Sequence, residues 1–296
     1  VVNTVSKVFV KTYENIVRHY AQQTVARLRP FVMEKGNGAD DHNWERVGTV
    51  NPSTKSAAGT VSRAVATPVT DTPFSRRVSQ PTVFHVGDLL EQEDPTRTLI
   101  DPNSAIGMAQ GYAMRRGVDD RIIAAATGTA LDGDGNANAV PAGQILGDYG
   151  ATALMSFDLV TAVTEKFMSK DIDPDEPKVF VIGPTQARKL LQIAEATNAD
   201  FNALRPLQAR GYVDNWMGYS WVVSTRLLAG GGAGTIDCFA MTRRAIGLQV
   251  NRDIWTRVAE DPTVSFAWRI YAAAEMGAVR VEDEHLVWLK LKNSLT

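Results

Sequence analysis

The hydrophobic pattern of this chain changes period several times, and each change marks an element. Within the first 35 residues Tyr13, Ile16, Val17, Tyr20, Thr24 and Leu28 recur at helical spacing before Pro30, which predicts an amphipathic helix. Gly36-Asn37-Gly38-Ala39-Asp40-Asp41 reads as a linker. From about residue 46 to 87 the period falls to two. Val61, Arg63, Val65, Thr67 and Val69 share one parity. Phe74, Arg76, Val78, Gln80, Thr82, Phe84 and Val86 share the other, with Thr70-Asp71-Thr72-Pro73 as turn chemistry between the two runs. The predicted element is a long two-stranded ribbon. No Leu, Ile or Met occurs between Met33 and Leu89, so no core is expected beneath it. A lone hairpin is marginal in water. The ribbon is therefore expected to lie on another subunit, which points to a protein that assembles.

Asp101-Pro102 supplies an N-cap and first-turn proline for a helix running to about Ala126, roughly 35–40 Å long. Gly107, Gly111 and Gly117 are expected to permit close backbone packing along it. Residues 128–150 form a Gly/Ala/Asn-rich loop. An alternation of helices and strands follows: a helix from Ser156-Phe157-Asp158 to Met168, a strand at Lys178–Ile182, a helix at about Pro184–Ala196, and strands at about Ser220–Ser224 and Ile236–Met241. In the last fifty residues Ile246, Leu248 and Val250 alternate, as do Val264, Phe266, Trp268 and Ile270. Val279 and Val281 lead through Glu282-Asp283-Glu284 to His285–Leu291, read as a hairpin-like end.

Composition narrows the class. At 296 residues, with 44% hydrophobic and 22% charged, the chain has the makings of an ordinary globular core. A net charge of −2 argues against nucleic-acid affinity by bulk electrostatics. Cys238 is the single cysteine, in the apolar run Ile236–Met241, and is read as a buried structural thiol made in a reducing compartment. The first residues lack an apolar signal core, and no apolar run reaches the roughly 18 residues of a membrane span. Neither export by a signal peptide nor membrane insertion is expected.

The candidate chemical motifs are each incomplete. Asp132-Gly133-Asp134-Gly135-Asn136 opens like a calcium loop, but Ala137 and Gly143 stand where a turn glycine and a bidentate glutamate belong. Gly230-Gly231-Gly232-Ala233-Gly234 lacks the Lys-Ser/Thr of a phosphate loop. Gly183-Pro184-Thr185 has strand-turn-helix geometry, yet Pro184 removes a donor. His19, His42, His85 and His285 are scattered, without metal-ligand spacing. No catalytic residues, cofactor or metal site are assigned.

The stretch from Arg244-Ala245-Ile246-Gly247-Leu248-Gln249-Val250 through Arg257-Val258-Ala259-Glu260-Asp261-Pro262 resembles major capsid proteins of tailed bacteriophages with the HK97 fold. The resemblance continues through Phe266-Ala267-Trp268-Arg269-Ile270-Tyr271 to Met276-Gly277-Ala278-Val279-Arg280-Val281-Glu282-Asp283-Glu284, with a second patch from Ala203-Leu204-Arg205-Pro206-Leu207 to Gly218. It implies an α+β, HK97-like fold with an N-terminal arm at 1–45 and an extended β-ribbon, the E-loop, at 46–95. A P-domain at 96–154 and 242–296 would hold the spine helix at about 101–127, and an α/β A-domain would occupy 155–241. It also implies a structural, non-enzymatic subunit that assembles in the host cytoplasm, as hexamers and pentamers, into an icosahedral virion shell around double-stranded DNA. A scaffolding protein, a portal and a decoration protein are the implied partners. An encapsulin-like bacterial compartment and a cytosolic oligomeric α/β enzyme are the alternative readings.

Charge suggests where subunits meet. The ribbon carries Arg46, Lys55, Arg63, Arg76 and Arg77 against Asp71, whereas Asp88, Glu91, Glu93, Asp94 and Asp101 follow it against Arg97. The expected inter-subunit contact residues are Arg63, Phe74, Arg76, Arg77, Glu91 and Glu93. Arg76 and Arg77 are expected to meet the Glu91 and Glu93 of a neighbouring copy.

Overall fold

The structure, a computed structural model, describes residues 21–36, 38–52, 69, 71–91, 102–150, 153–192 and 215–294. It divides into two compact units, one of residues 1–26, 83–118 and 252–275 and a larger one of 27–82, 119–251 and 276–296. The helix predicted from Asp101-Pro102 to about Ala126 is present as α1 (Pro102–Thr127), about 39 Å long at 1.5 Å per residue. Its residues up to Val118 belong to the smaller unit and the rest to the larger.

The larger unit is built on a six-stranded mixed sheet. Its strands are β7 (Ile145–Leu146), β8 (Lys178–Ile182), β9 (Asn215–Trp216), β10 (Tyr219–Val223), β11 (Thr235–Thr242) and β14 (Leu286–Lys292), in the order β7-β14-β11-β8-β10-β9. β8 and β10 are parallel, while β11 is antiparallel to both β8 and β14. Helix α2 (Phe157–Met168) starts because the Ser156 hydroxyl caps it, accepting from the Leu159 N–H at 3.1 Å. Val160, Val163 and Phe167 recur on one face and pack with Phe180, Tyr219, Trp221 and Leu289. Helix α3 (Pro184–Leu191) adds Leu190 to that cluster. The helix ends at Leu191 with Gln192 as its C-cap, and the rest of the span expected to reach Ala196 lies outside the described residues. The closing strand corrects one expectation: β13 (Ala267–Arg280) and β14 lie in different sheets, so the end of the chain is not a hairpin. By the same token β14 completes the α/β sheet rather than a sheet with β13.

A second sheet of this unit joins β2 (His42–Val47), β3 (Phe74–Ser79), β5 (Ala130–Asp132) and β6 (Ala137–Asn138) in that order. β2 and β3 pair antiparallel from His42↔Ser79 to Val47↔Phe74. This is the root of the expected ribbon, but it does not lack a core. The Trp44 ring is buried, and a Cβ on Gly247 would come within 2.5 Å of it, so the glycine makes room for the indole. Trp44 Nε1 donates to Ser79 Oγ at 3.1 Å, and Ser79 Oγ donates to Gln249 Oε1 at 2.8 Å. The strand expected to run unbroken from Phe74 to Val86 is also two strands. Gln80-Pro81 separates β3 from β4 (Thr82–Leu90), which belongs to a sheet ordered β1-β12-β13-β4. Pro81 cannot donate to a ladder, and here the backbone of Gln80 crosses Gly277, where a Cβ would lie 2.5 Å from the Gln80 carbonyl oxygen. The partner run Val61–Thr67 lies outside the described residues.

The entry to the larger unit also differs from the expected helix. Residues 21–28 are not helical, and the helical-period residues before them lie outside the described part. Leu28 is fully buried, and the buried carboxylate of Asp119 accepts from the N–H groups of Arg27 at 2.9 Å and Leu28 at 3.1 Å. Those two donors are satisfied by a side chain of α1 instead of by a helix of their own. The strand β1 (Met33–Gly36) then runs parallel to β12 (Ile246–Asp261), from Met33↔Gly247 to Gly36↔Val250.

In the smaller unit, α1 lies against β4 and β13. Gln110 Nε2 donates to the Ile270 carbonyl at 3.1 Å, and the Phe84 ring rests on Gly117, where a Cβ would be 3.0 Å away. Gly107 and Gly111 have open space instead of a packed neighbour, so close packing is confined to Gly117. Val264 and Phe266, expected in a strand, are exposed in the turn between β12 and β13.

Candidate functional site

The polar motifs singled out in the sequence are accounted for by local structure. Asp132 closes the β5–β6 turn: its carboxylate accepts from the N–H of Asp134 at 3.0 Å and of Asn136 at 2.8 Å, and from the Asn136 amide at 3.2 Å. Those hydrogen bonds, led by Asn136, hold its carboxyl below the usual range. Among the described residues no group of three His, Cys, Asp or Glu side chains is placed to hold a metal ion. Gly183 is there for space, since a Cβ would strike Ile236 Cδ1 at 2.3 Å. Cys238 is fully buried on the next strand, and burial pushes its thiol up to about 12, far from the reactive thiolate range. Among the described residues no helix is long and apolar enough to cross a membrane.

The expected contact residues separate by strand parity. Phe74 and Arg76 of β3 lie on the outward face; Phe74 is 73% exposed and stands opposite Val47, itself 63% exposed. Successive residues on a strand point to opposite faces, and Arg77 consequently points inward. It is buried, and its Nη2 donates to Asp283 Oδ2 at 2.8 Å. This corrects the pairing of Arg76 with Arg77 as outward cations: the Arg77 charge is spent inside its own subunit. Arg76 stays exposed, its Nη2 3.4 Å from the Gly133 carbonyl. Glu91 is exposed, and Arg63 and Glu93 lie outside the described residues.

Asp283 is the residue that the sequence reading passed over as turn chemistry. Besides Arg77 it binds the fully buried Arg280, whose Nε donates to Asp283 Oδ1 at 2.6 Å. Arg280 also donates from Nη1 to the Gly128 carbonyl at 2.5 Å and from Nη2 to the Asn138 carbonyl at 2.8 Å. The Asp283–Arg280 pair thus ties the ribbon root, the end of α1, β6 and the end of β13 together. The signal available in sequence was the pair Arg280…Asp283 three residues apart. What this arrangement provides is an anchored mount for an outward apolar pair.

Comparison with known proteins places this architecture. No curated protein sequence matches the chain. Three solved capsids share its fold over nearly the whole length. The capsid of the cyanophage P-SCSP1u matches with a TM-score of 0.73 at 17% identity, covering 98% of this chain and 95% of that one. The capsid of the cyanophage Pam1 matches with a TM-score of 0.73 at 13% identity, covering 98% of each. The capsid of the Ralstonia phage GP4 gives 0.72 at 11% identity, covering 99% and 98%. The profile of the family described as phage capsid protein matches residues 5–292. The chain belongs to that family, as a structural capsid protein of a phage shell.

Proposed function

We propose that this chain closes its shell as hexamers and pentamers around double-stranded DNA, each subunit laying its ribbon over a neighbour. The observation that carries the reading is the Val47–Phe74 pair. Two apolar side chains face each other across β2 and β3, both exposed, on a ribbon whose opposite face is anchored by Trp44 and Arg77. An anchored ribbon with an apolar outer face is built to be covered, and cyclic symmetry supplies an identical neighbour to cover it. The subdomain names follow the same reading: arm 1–45, E-loop 46–95, spine helix within a P-domain of 96–154 and 242–296, and A-domain 155–241. The sheet topology supports moving β14 to the A-domain. A net charge of −2 suits a container filled by a packaging machine and not one that condenses DNA by attraction. A scaffolding protein, a portal and a decoration protein complete the set of partners.

Electron microscopy of particles purified from their natural source, with nuclease-protected nucleic acid assayed in parallel, tests this. Closed shells holding double-stranded DNA are expected. Shells filled with protein and free of DNA would replace the cargo, and a stable monomer as the native species would overturn the reading.

A further inference from the structure

Helix α1 has a covered face and an open one. Gln110, Met114 and Val118 recur at i, i+4 and i+8 and are buried. Met108, Gly111 and Arg115 recur at i, i+3 and i+7 on another face. Met108 is 48% exposed, Arg115 is exposed, and a Cβ on Gly111 would meet nothing within 4 Å. A glycine inside a helix is a poor choice unless something uses the room it leaves, and among the described residues nothing does. An exposed methionine beside bare backbone makes an apolar seat of low relief.

The chain itself leads onto that seat. Residues 21–28 run alongside α1: the Arg27 and Leu28 N–H groups donate to Asp119, and the Thr24 carbonyl accepts from Arg115 Nη1 at 2.8 Å, one turn nearer the start of the helix. Arg116 Nη1 donates to Gln22 Oε1 at 2.7 Å. Followed backward, the chain climbs α1 toward Gly111 and Met108. Residues 1–20 lie outside the described part. In them Tyr13, Ile16, Val17 and Tyr20 recur at i, i+3, i+4 and i+7, while Lys11, Glu14 and Arg18 fall on the other side of that helical period. Tyr13 to Tyr20 and Met108 to Arg115 span the same number of helical steps, about 11 Å each.

We propose that residues 13–20 form a helix that lies parallel to α1 on the Met108, Gly111 and Arg115 face of its own subunit, with Ile16 and Val17 over Gly111. Stripe and seat match in length and in apolar character, and the bonds at Gln22 and Thr24 fix where the segment starts. The strap retains the arm on the subunit that made it and closes the open face of α1 before any neighbour is met. This inference concerns the single subunit and does not depend on the shell reading.

Two experiments on the unassembled, full-length subunit decide it. Cys238 is buried, so introduced thiols report alone. Gly111→Cys combined with Ile16→Cys or Val17→Cys, oxidised in dilute solution, is expected to close a disulfide within one chain, seen as a faster-running monomer on a non-reducing gel. Gly111→Cys with Glu14→Cys or Arg18→Cys, on the other side of the stripe, is the control. A link between two chains would make the arm of a second copy the occupant and overturn the assignment, as would stripe pairs that close no more than the controls. Separately, Gly111→Leu fills the seat at a position where the helix itself has room. The urea midpoint is expected to stay at or above that of the wild type, while trypsin cuts after Arg18 at least about tenfold faster, because the arm is no longer held. Equal cleavage of the two proteins would overturn the strap and leave the shell reading, which is tested on particles, untouched.

Discussion

Replacing Asp283 by alanine strands two guanidinium groups. Arg280 has a fully buried side chain and Arg77 one that is 8% exposed, and both bind the same carboxylate, at 2.6 and 2.8 Å. Removing one partner of a buried ion pair costs about 3–5 kcal/mol, because the remaining charge stays desolvated. The second bond, from the slightly exposed Arg77, is worth about 1.5–3 kcal/mol as a hydrogen bond to a charged group. The two share one acceptor and do not simply add, so the expected loss is about 4–6 kcal/mol. Against a typical stability of about 5–15 kcal/mol, the variant is marginal. Arg77→Ala leaves Asp283 paired with Arg280 and is expected to lose about 1.5–3 kcal/mol. Arg76→Ala, one residue away on the exposed face, is expected to change stability by less than about 0.5 kcal/mol. Urea unfolding of the unassembled subunit, followed by tryptophan fluorescence, measures all three. A loss below about 1 kcal/mol for Asp283→Ala, or equal losses for Arg76→Ala and Arg77→Ala, would refute the parity reasoning.

Gly277→Ala puts a Cβ 2.5 Å from the Gln80 carbonyl oxygen and should cost about 1–3 kcal/mol, whereas Gly107→Ala, mid-helix with open space, should gain about 0.5–1 kcal/mol; thermal melts of the two variants should shift in opposite directions. The Cys238 thiol should react with a disulfide reagent only as fast as the subunit unfolds, and rapid labelling of native protein would show that its strand opens locally. Glu282 is held below its ordinary 4.5 by the hydrogen bond from His285, with Arg46 and Arg244 adding to it. Its stabilising contribution is therefore present above about pH 4.5 and lost as pH falls through the lower folded value. Glu282→Gln should lower the urea midpoint near neutrality and flatten its decline on acidification, and an unchanged acid limb would count against the pairing.

Legibility in the sequence followed how local each determinant was. Ser156 before the Val160, Val163, Phe167 stripe names α2 and its first residue, because cap and stripe act within one helix. β8 was readable for the same reason, as a continuous apolar run ahead of Gly183-Pro184. The ribbon root was misread because a missing set of aliphatic residues suggested a missing core, when one indole fills that space by meeting Gly247 from two hundred residues away. Arg77 was misplaced because charge was counted without the strand's two faces. The chain's last turn looked like a hairpin because Glu282-Asp283-Glu284 is good turn chemistry. What decides the partner of β14 is β11, and that choice depends on the apolar face of β11 along Ile236–Met241. Among the expected contact residues, Phe74 was visible as an aromatic in a polar alternation, whereas its exposure beside Val47 follows from the register of β2 on β3, which no local pattern encodes.

The position of β14 has a consequence for biosynthesis. It is the last of the described strands in chain order, yet it lies inside the six-stranded sheet, between β7 and β11. A ribosome adding about 5–20 residues per second must deliver residues 286–292 before that sheet can close. A chain that stops earlier leaves β7 without a partner and β11 with an open side. Truncated translation products are thus kept from reaching the shape that a lattice of identical copies accepts, and the order of synthesis screens defective subunits before any of them can be built into a particle.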